Sequence, residues 1–214
     1  MLTRTELLLV RHGEGVCDRH GVVGGPATCT GLTAQGRAQM LALADVLGAM
    51  EAPADVLFTC PRLRVRQSAD ILGERLGLEP IVLDDLRGVE HGDADGRLWE
   101  EVEGIGAGLR HRPDHPHAFG AEPWARYLGR VVQSLGRLVA ENHGRRVLLV
   151  GHGETVVAAN ALFLELPVDL SRRAGFTVDH SALTWWQQRI DRFGHATWML
   201  ARHNDTSHLV PGQG

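Results

Sequence analysis

Lysine is absent from the 214-residue sequence, so all 22 basic residues are arginine. Coding bias in a GC-rich genome produces this usage, and it does not by itself indicate phosphate binding. Cysteine is scarce: Cys17, Cys29 and Cys60 have neither C-x-x-C spacing nor the density of a disulfide framework, which points to a reducing compartment. No apolar run approaches a membrane span, and the one in MLTRTELLLVRHGE is too short for a secretory signal. Positive charge is not in excess, with a net charge of -4 and a pI near 6.3, so no global field would hold nucleic acid or anionic lipid. The expectation is a cytoplasmic protein with neither a nucleic-acid nor a membrane partner. Any anion it binds must be met by a local cluster of positive groups.

What is present is ordinary for a globular chain: 43% hydrophobic and 22% charged residues. The length suits one domain over 1–214, with a loop or cap segment at about 84–122. Residues 6–10 (ELLLV), 55–59 (DVLFT), 80–83 (PIVL) and 146–150 (RVLLV) read as short buried strands. Helical spacing appears after Thr33, a candidate N-cap, and over 61–76, 123–141 and 155–164. Residues 181–189 and 196–203 read as a late hairpin that takes Trp185, Trp186 and Trp198 into the core. The stretch 84–122 shows little periodicity, its tract His111 to His117 reads as a solvated loop rather than a metal site, and the tail 210–214 is expected to fray. Buried strands alternating with amphipathic helices predict a three-layer α/β/α sandwich, a mostly parallel central sheet with helices on both faces. Functional groups in such sheets gather beyond the carboxyl ends of the strands.

Two segments resemble one another: LLLVRHGEGV at 7–16 and VLLVGHGETV at 147–156. Each is a strand followed by a histidine, a glycine and a glutamate. If the strands are neighbours, His12 and His152 face each other across one crevice. Arg11 precedes His12. In CPRLRVRQSA at 60–69, helical spacing allows only one of Arg62, Arg64 and Arg66 to point inward. Paired imidazoles and guanidinium forks suit a phosphoryl group: arginine binds its oxygens bidentately, and a neutral imidazole is a competent nucleophile.

These residues resemble the histidine phosphatase superfamily, of phosphoglycerate mutase-like fold. RHGE at 11–14 resembles its RHG signature and GLTAQG at 31–36 its LT-x-x-G element. CPRLRVRQSA resembles S-x-L-x-R-A-x-Q-T-A, VGHG at 150–153 the second-histidine motif, and NDTSHL at 204–209 the closing N-x-x-x-H-L. The resemblance implies a phosphatase of small phosphorylated metabolites that needs no cofactor and no metal. His12 would become phosphohistidine while Arg11, Arg64 and His152 hold the transferring group. Glu14 would orient a histidine or hold the site's hydrogen bonds. Cys29, Thr30 and Gly153 fall where the family contacts substrate. A homodimer stays open.

Three positions depart from the pattern. Asp18 replaces the usual asparagine, and like-charge repulsion predicts that it turns to the periphery or meets a cationic or hydroxyl part of the substrate. Gly88, in LRGVEHG at 86–92, replaces the glutamate that protonates the leaving group. Glu90 is then the expected acid, ahead of Asp93 and Asp95. GAEP at 120–123 departs from the family's G-G-E-S element, and Glu122, which keeps its acidic position, is expected at the pocket mouth. Phosphoglycerate mutase-type transfer and a non-catalytic phosphate-binding regulator are the competing readings.

Overall fold

The computed structural model describes residues 2–52, 54–105, 114–115, 118–168 and 174–209. In chain order the strands are β1 (Leu2–Arg11), β2 (Val56–Thr59), β3 (Pro80–Val82), β4 (Arg146–Gly151), β5 (Leu183–Ile190) and β6 (Ala196–Asp205). The helices are α1 (Val16–Arg19), α2 (Ala34–Gly48), α3 (Leu63–Leu76), α4 (Trp99–Ile105), α5 (Trp124–Glu141) and α6 (Gly153–Phe163). One six-stranded sheet runs β3-β2-β4-β1-β5-β6. Its first four strands are parallel, and β5 and β6 add an antiparallel hairpin beside β1. The fold is the expected α/β sandwich with a mostly parallel sheet.

The apolar runs explain the centre. Leu7 to Val10 and Val147 to Val150 are almost entirely buried, as strands covered on both faces must be. Helix α2 packs on α3, and α5 on α6. Trp186 is buried, whereas Trp185 and Trp198 are partly buried against the core. Thr33 caps α2 as expected, its hydroxyl accepting from the Gly36 N–H at 2.9 Å. The middle segment is more regular than its sequence suggests. It holds 3-10 turns at Asp84–Leu86, Gly92–Ala94 and Ala118–Gly120, together with α4. Seven residues are too few to show a helical period, but Glu100 and Glu101 stand in the first turn of α4, where the helix dipole favours acids. The His111 to His117 tract, apart from Asp114 and His115, and the tail 210–214 lie outside the described residues.

Parallel pairing brings the ends of β1 and β4 level. Val10 pairs with Val150 and Arg11 with Gly151, so His12 and His152 leave the sheet side by side. The His12 N–H also donates to the Gly151 carbonyl at 3.0 Å. The loop after His12 is braced from below by two motif glycines. A Cβ on Gly13 would strike the Gly36 carbonyl, and one on Gly36 the Glu14 carbonyl. The RHG and LT-x-x-G glycines therefore let strand end and helix start touch backbone to backbone.

Gly36→Ala drives a methyl into that carbonyl and is expected to cost about 1–3 kcal/mol. Urea unfolding compared with Gly129→Ala, whose added Cβ meets nothing within 4 Å, checks this; equal midpoints would contradict it.

Candidate active site

A cavity of about 280 Å³ opens above the ends of β1 and β4, at the small end of ligand-site sizes. His12 and His152 stand on its floor with rings 5.4 Å apart and edge to face. They are 2% and 4% exposed, so protonation of either would bury a charge. Burial, helped by neighbouring arginines, holds both imidazoles well below the usual histidine range, and both are neutral near pH 7.

The tautomer of His12 follows from its partners. Nδ1 lies 2.7 Å from the Gly13 carbonyl, which can only accept, so Nδ1 carries the proton. Nε2 therefore presents a lone pair, and the Arg64 Nε–H donates to it at 3.0 Å. Arg64 is 8% exposed and is fixed further by donating from Nη1 to the Gly24 carbonyl at 2.9 Å. Arg11 donates to the Val178 carbonyl at 2.6 Å and lies 2.9 Å from Nε2 of His180. The Nε atoms of Arg11 and Arg62 and the Nε2 of His152 are buried without a partner. Buried guanidinium donors without a protein partner, gathered on one hollow, suit an anion.

Of the expected site residues, Arg11, His12, Asp18, Arg64, His152 and Gly153 all line this cavity. Asp18 accepts from the Gly15 N–H at 2.8 Å and pairs with His180 at 3.4 Å. Burial would raise its carboxyl, but the bond to His180 and the charge on Arg64 prevail and hold it below the usual carboxylate range. It is ionised at the cavity wall.

Other expectations need correction. Glu90 is exposed and absent from the cavity lining, and it accepts from Arg87 Nε at 2.8 Å. That bond holds its carboxyl below the usual range, the opposite of what a proton donor needs. Asp93 is exposed, and Asp95 accepts from the Gly25 and Ala27 N–H groups, each at 2.9 Å, so it ties down a loop. Glu122 is buried away from the mouth, accepting from Arg130 at 2.8 Å and from the Glu90 N–H at 2.9 Å. Glu14 orients no histidine: it accepts from the Thr33 hydroxyl at 2.6 Å and from Arg19 Nη2 at 2.8 Å. Thr30 is exposed and lies outside the lining. Cys29 is also outside it, but its sulfur lies 3.4 Å from Arg64 Nη1. Its hydrogen bond with Cys17 and that guanidinium pull its thiol well down.

Several lining residues carried no sequence signal. Arg62 reaches the cavity although helical spacing would place it in solvent. His91 packs edge-on against Trp99 at 5.4 Å, and burial lowers it to about 4. Glu154, in the first turn of α6, and Phe176 complete the wall. His180 stands 5.7 Å from the His12 ring. Gly88 is also there, and a Cβ on it would sit 2.8 Å from His152 Nε2. The missing glutamate thus leaves space that His152 uses. His12, Asp18 and His180 present ligand atoms within 4.8 Å of one another, but Arg64 and Arg11 already occupy the two ring nitrogens. Guanidinium groups there oppose a cation.

Three neutral buried histidines make stability fall in acid. Each has a folded pKa below its unfolded value of about 6.5, so the unfolded chain binds the extra protons as pH drops below that value. The loss tied to His91 runs from about pH 6.5 down to about 4. Urea unfolding at pH 7, 6 and 5 is expected to show declining stability, and His91→Asn to recover about 1 kcal/mol per pH unit of the decline. A flat profile would refute the assignment.

Comparison with known proteins agrees with this geometry. The profile of the histidine phosphatase superfamily (branch 1) matches residues 7–206. A glucosyl-3-phosphoglycerate phosphatase of Mycolicibacterium vanbaalenii is 33% identical over 76% of this chain and 76% of its own. The metal-independent phosphoserine phosphatase of Arabidopsis thaliana is 25% identical over 96% of this chain and 83% of its own. The solved mycobacterial glucosyl-3-phosphoglycerate phosphatase superposes with a TM-score of 0.78 at 26% identity, over 95% of this chain and 99% of that one. The chain belongs to branch 1 of the histidine phosphatase superfamily, and it is a phosphatase.

Proposed function

We propose that the protein hydrolyses phosphomonoesters of small metabolites through a phosphohistidine formed on His12. The observation that carries this is the His12 Nε2 lone pair, fixed by Nδ1–H donation to Gly13 and faced by the Arg64 guanidinium in a cavity that Arg11 also lines. A phosphoryl oxygen takes the Arg64 N–H now held by Nε2 and frees the lone pair. Nε2 then attacks phosphorus and the ester P–O bond breaks. Arg11 and Arg64 hold charge on the phosphoryl oxygens, as does His152 when Nε2 carries its proton. Water then attacks the phosphohistidine, the N–P bond breaks and inorganic phosphate departs. The names of the relatives, phosphatases of phosphoserine and of glucosyl-3-phosphoglycerate, support small phosphoesters as the substrate class.

Purified protein is expected to release phosphate from p-nitrophenyl phosphate in excess EDTA. Rapid quench should trap an acid-labile, alkali-stable phosphoryl group on His12. His12→Ala should lose the label and at least about 10³-fold in rate. Equal turnover by His12→Ala would reject the mechanism.

The leaving alkoxide needs a proton. Asp18 is held ionised and Glu90 faces away, which leaves Glu154 as the remaining carboxyl lining the cavity among the described residues. Glu154 stands two residues past His152 on the wall shared with Gly88. It gives its proton to the departing oxygen and recovers one from the attacking water. Glu154→Gln is expected to lower kcat/KM about 10²- to 10³-fold on alkyl phosphates. The loss on p-nitrophenyl phosphate should be under about tenfold, because nitrophenolate leaves without a proton. Equal losses on both would remove Glu154 from this role.

A further inference from the structure

Three arginines line the cavity, and they are not equivalent. Arg11 is fixed by hydrogen bonds to Val178 and His180, and Arg64 by hydrogen bonds to His12 and Gly24. Among the described residues no ion pair or side-chain hydrogen bond engages Arg62, and its buried Nε has no partner. Its guanidinium stands between the cavity and an adjoining depression lined by Asp84, Glu90 and Asp95. Those carboxylates are already committed. Arg87 takes Asp84 and Glu90, while the Gly25 and Ala27 N–H groups and the Thr28 hydroxyl take Asp95. Burial, and then Arg64, penalise the charge on Arg62. A cation kept at such cost beside a binding site is stabilised by an anion that arrives with the ligand.

The surroundings specify that anion. Trp99, Val157, Phe176 and Val178 give the cavity an apolar wall, and His91 beside them is neutral. A charge pair formed there is poorly screened. One free guanidinium matches one negative charge in a bidentate fork. A second phosphoryl dianion would bring two negative charges to this one guanidinium. We infer that Arg62 binds a carboxylate on the substrate, and that the preferred substrates are phosphorylated hydroxy acids in which a short carbon skeleton joins the two anions. The inference rests on the hydrolase reading above and narrows its substrate class.

The test compares 3-phosphoglycerate with glycerol 3-phosphate, which differ in carboxylate against hydroxymethyl, and uses p-nitrophenyl phosphate as the common reference. The protein is expected to favour 3-phosphoglycerate in kcat/KM by at least about tenfold. Arg62→Met should bring that ratio to about one, chiefly through KM, and Arg62→Lys should restore part of it. Thermal melts of both variants separate loss of discrimination from loss of folding. If Arg62→Met does not fold, Arg62→Lys and the ratio in the unsubstituted protein still decide. Absence of discrimination in the unsubstituted protein overturns the proposal. So does an equal loss on all three substrates in Arg62→Met, which would make Arg62 a phosphoryl ligand. No turnover of any of the three defeats the hydrolase reading itself, and this proposal with it.

Discussion

Parallel registration of β1 with β4 is the constraint on which the rest of the site depends. Pairing of Val10 with Val150 and of Arg11 with Gly151 fixes the height at which each strand stops. The side-chain period of a strand is two, so a slip by one residue would turn every core leucine toward the wrong face. The buried runs Leu7 to Val10 and Val147 to Val150 forbid that slip. The same hydrophobic pattern that makes the core therefore sets the distance between the two imidazoles.

Electrostatics then does what burial permits. Three guanidinium groups and three uncharged imidazoles face a hollow whose acidic lining residues are Asp18 and Glu154, among those described. Asp18 accepts from the Gly15 N–H and lies 3.4 Å from His180, and its carboxyl is held below the usual carboxylate range. The repulsive group is present, but it is turned to a partner on the loop before β5. That loop is itself pinned to the end of β1, since the Ser181 N–H donates to the carbonyls of Arg11 and His12.

Much of this was legible in the sequence, and the exceptions have physical causes. Apolar runs and caps placed the strands and the long helices because buried strands and Thr33-type caps leave local marks. Strand-end histidines pointed to the cavity because sheet geometry concentrates function there. Helical spacing fails for Arg62 because that residue is not helical: it is the N-cap of α3, with φ -64 and ψ 135, so its side chain leaves the helix wheel. Glu90 failed as an acid because Arg87, three residues earlier, folds back onto it, and a pair across a tight turn has no periodic signature. His91, Glu154 and the pair Phe176 and His180 meet only through tertiary folding, from three separate segments.

The insertion of β4 between β1 and β2 carries a consequence for biogenesis. Residues 11 and 12 leave the ribosome early, but their neighbours in the sheet are about 140 positions downstream. A nascent chain with only its first 140 residues out has β1, β2 and β3 but no strand to join β1 to β2. His12 then lies on an open edge, without His152 opposite and without the segment that carries Val178 and His180. The cavity therefore cannot close before residues about 140 positions past His12 are made, a non-local closure rather than stepwise growth.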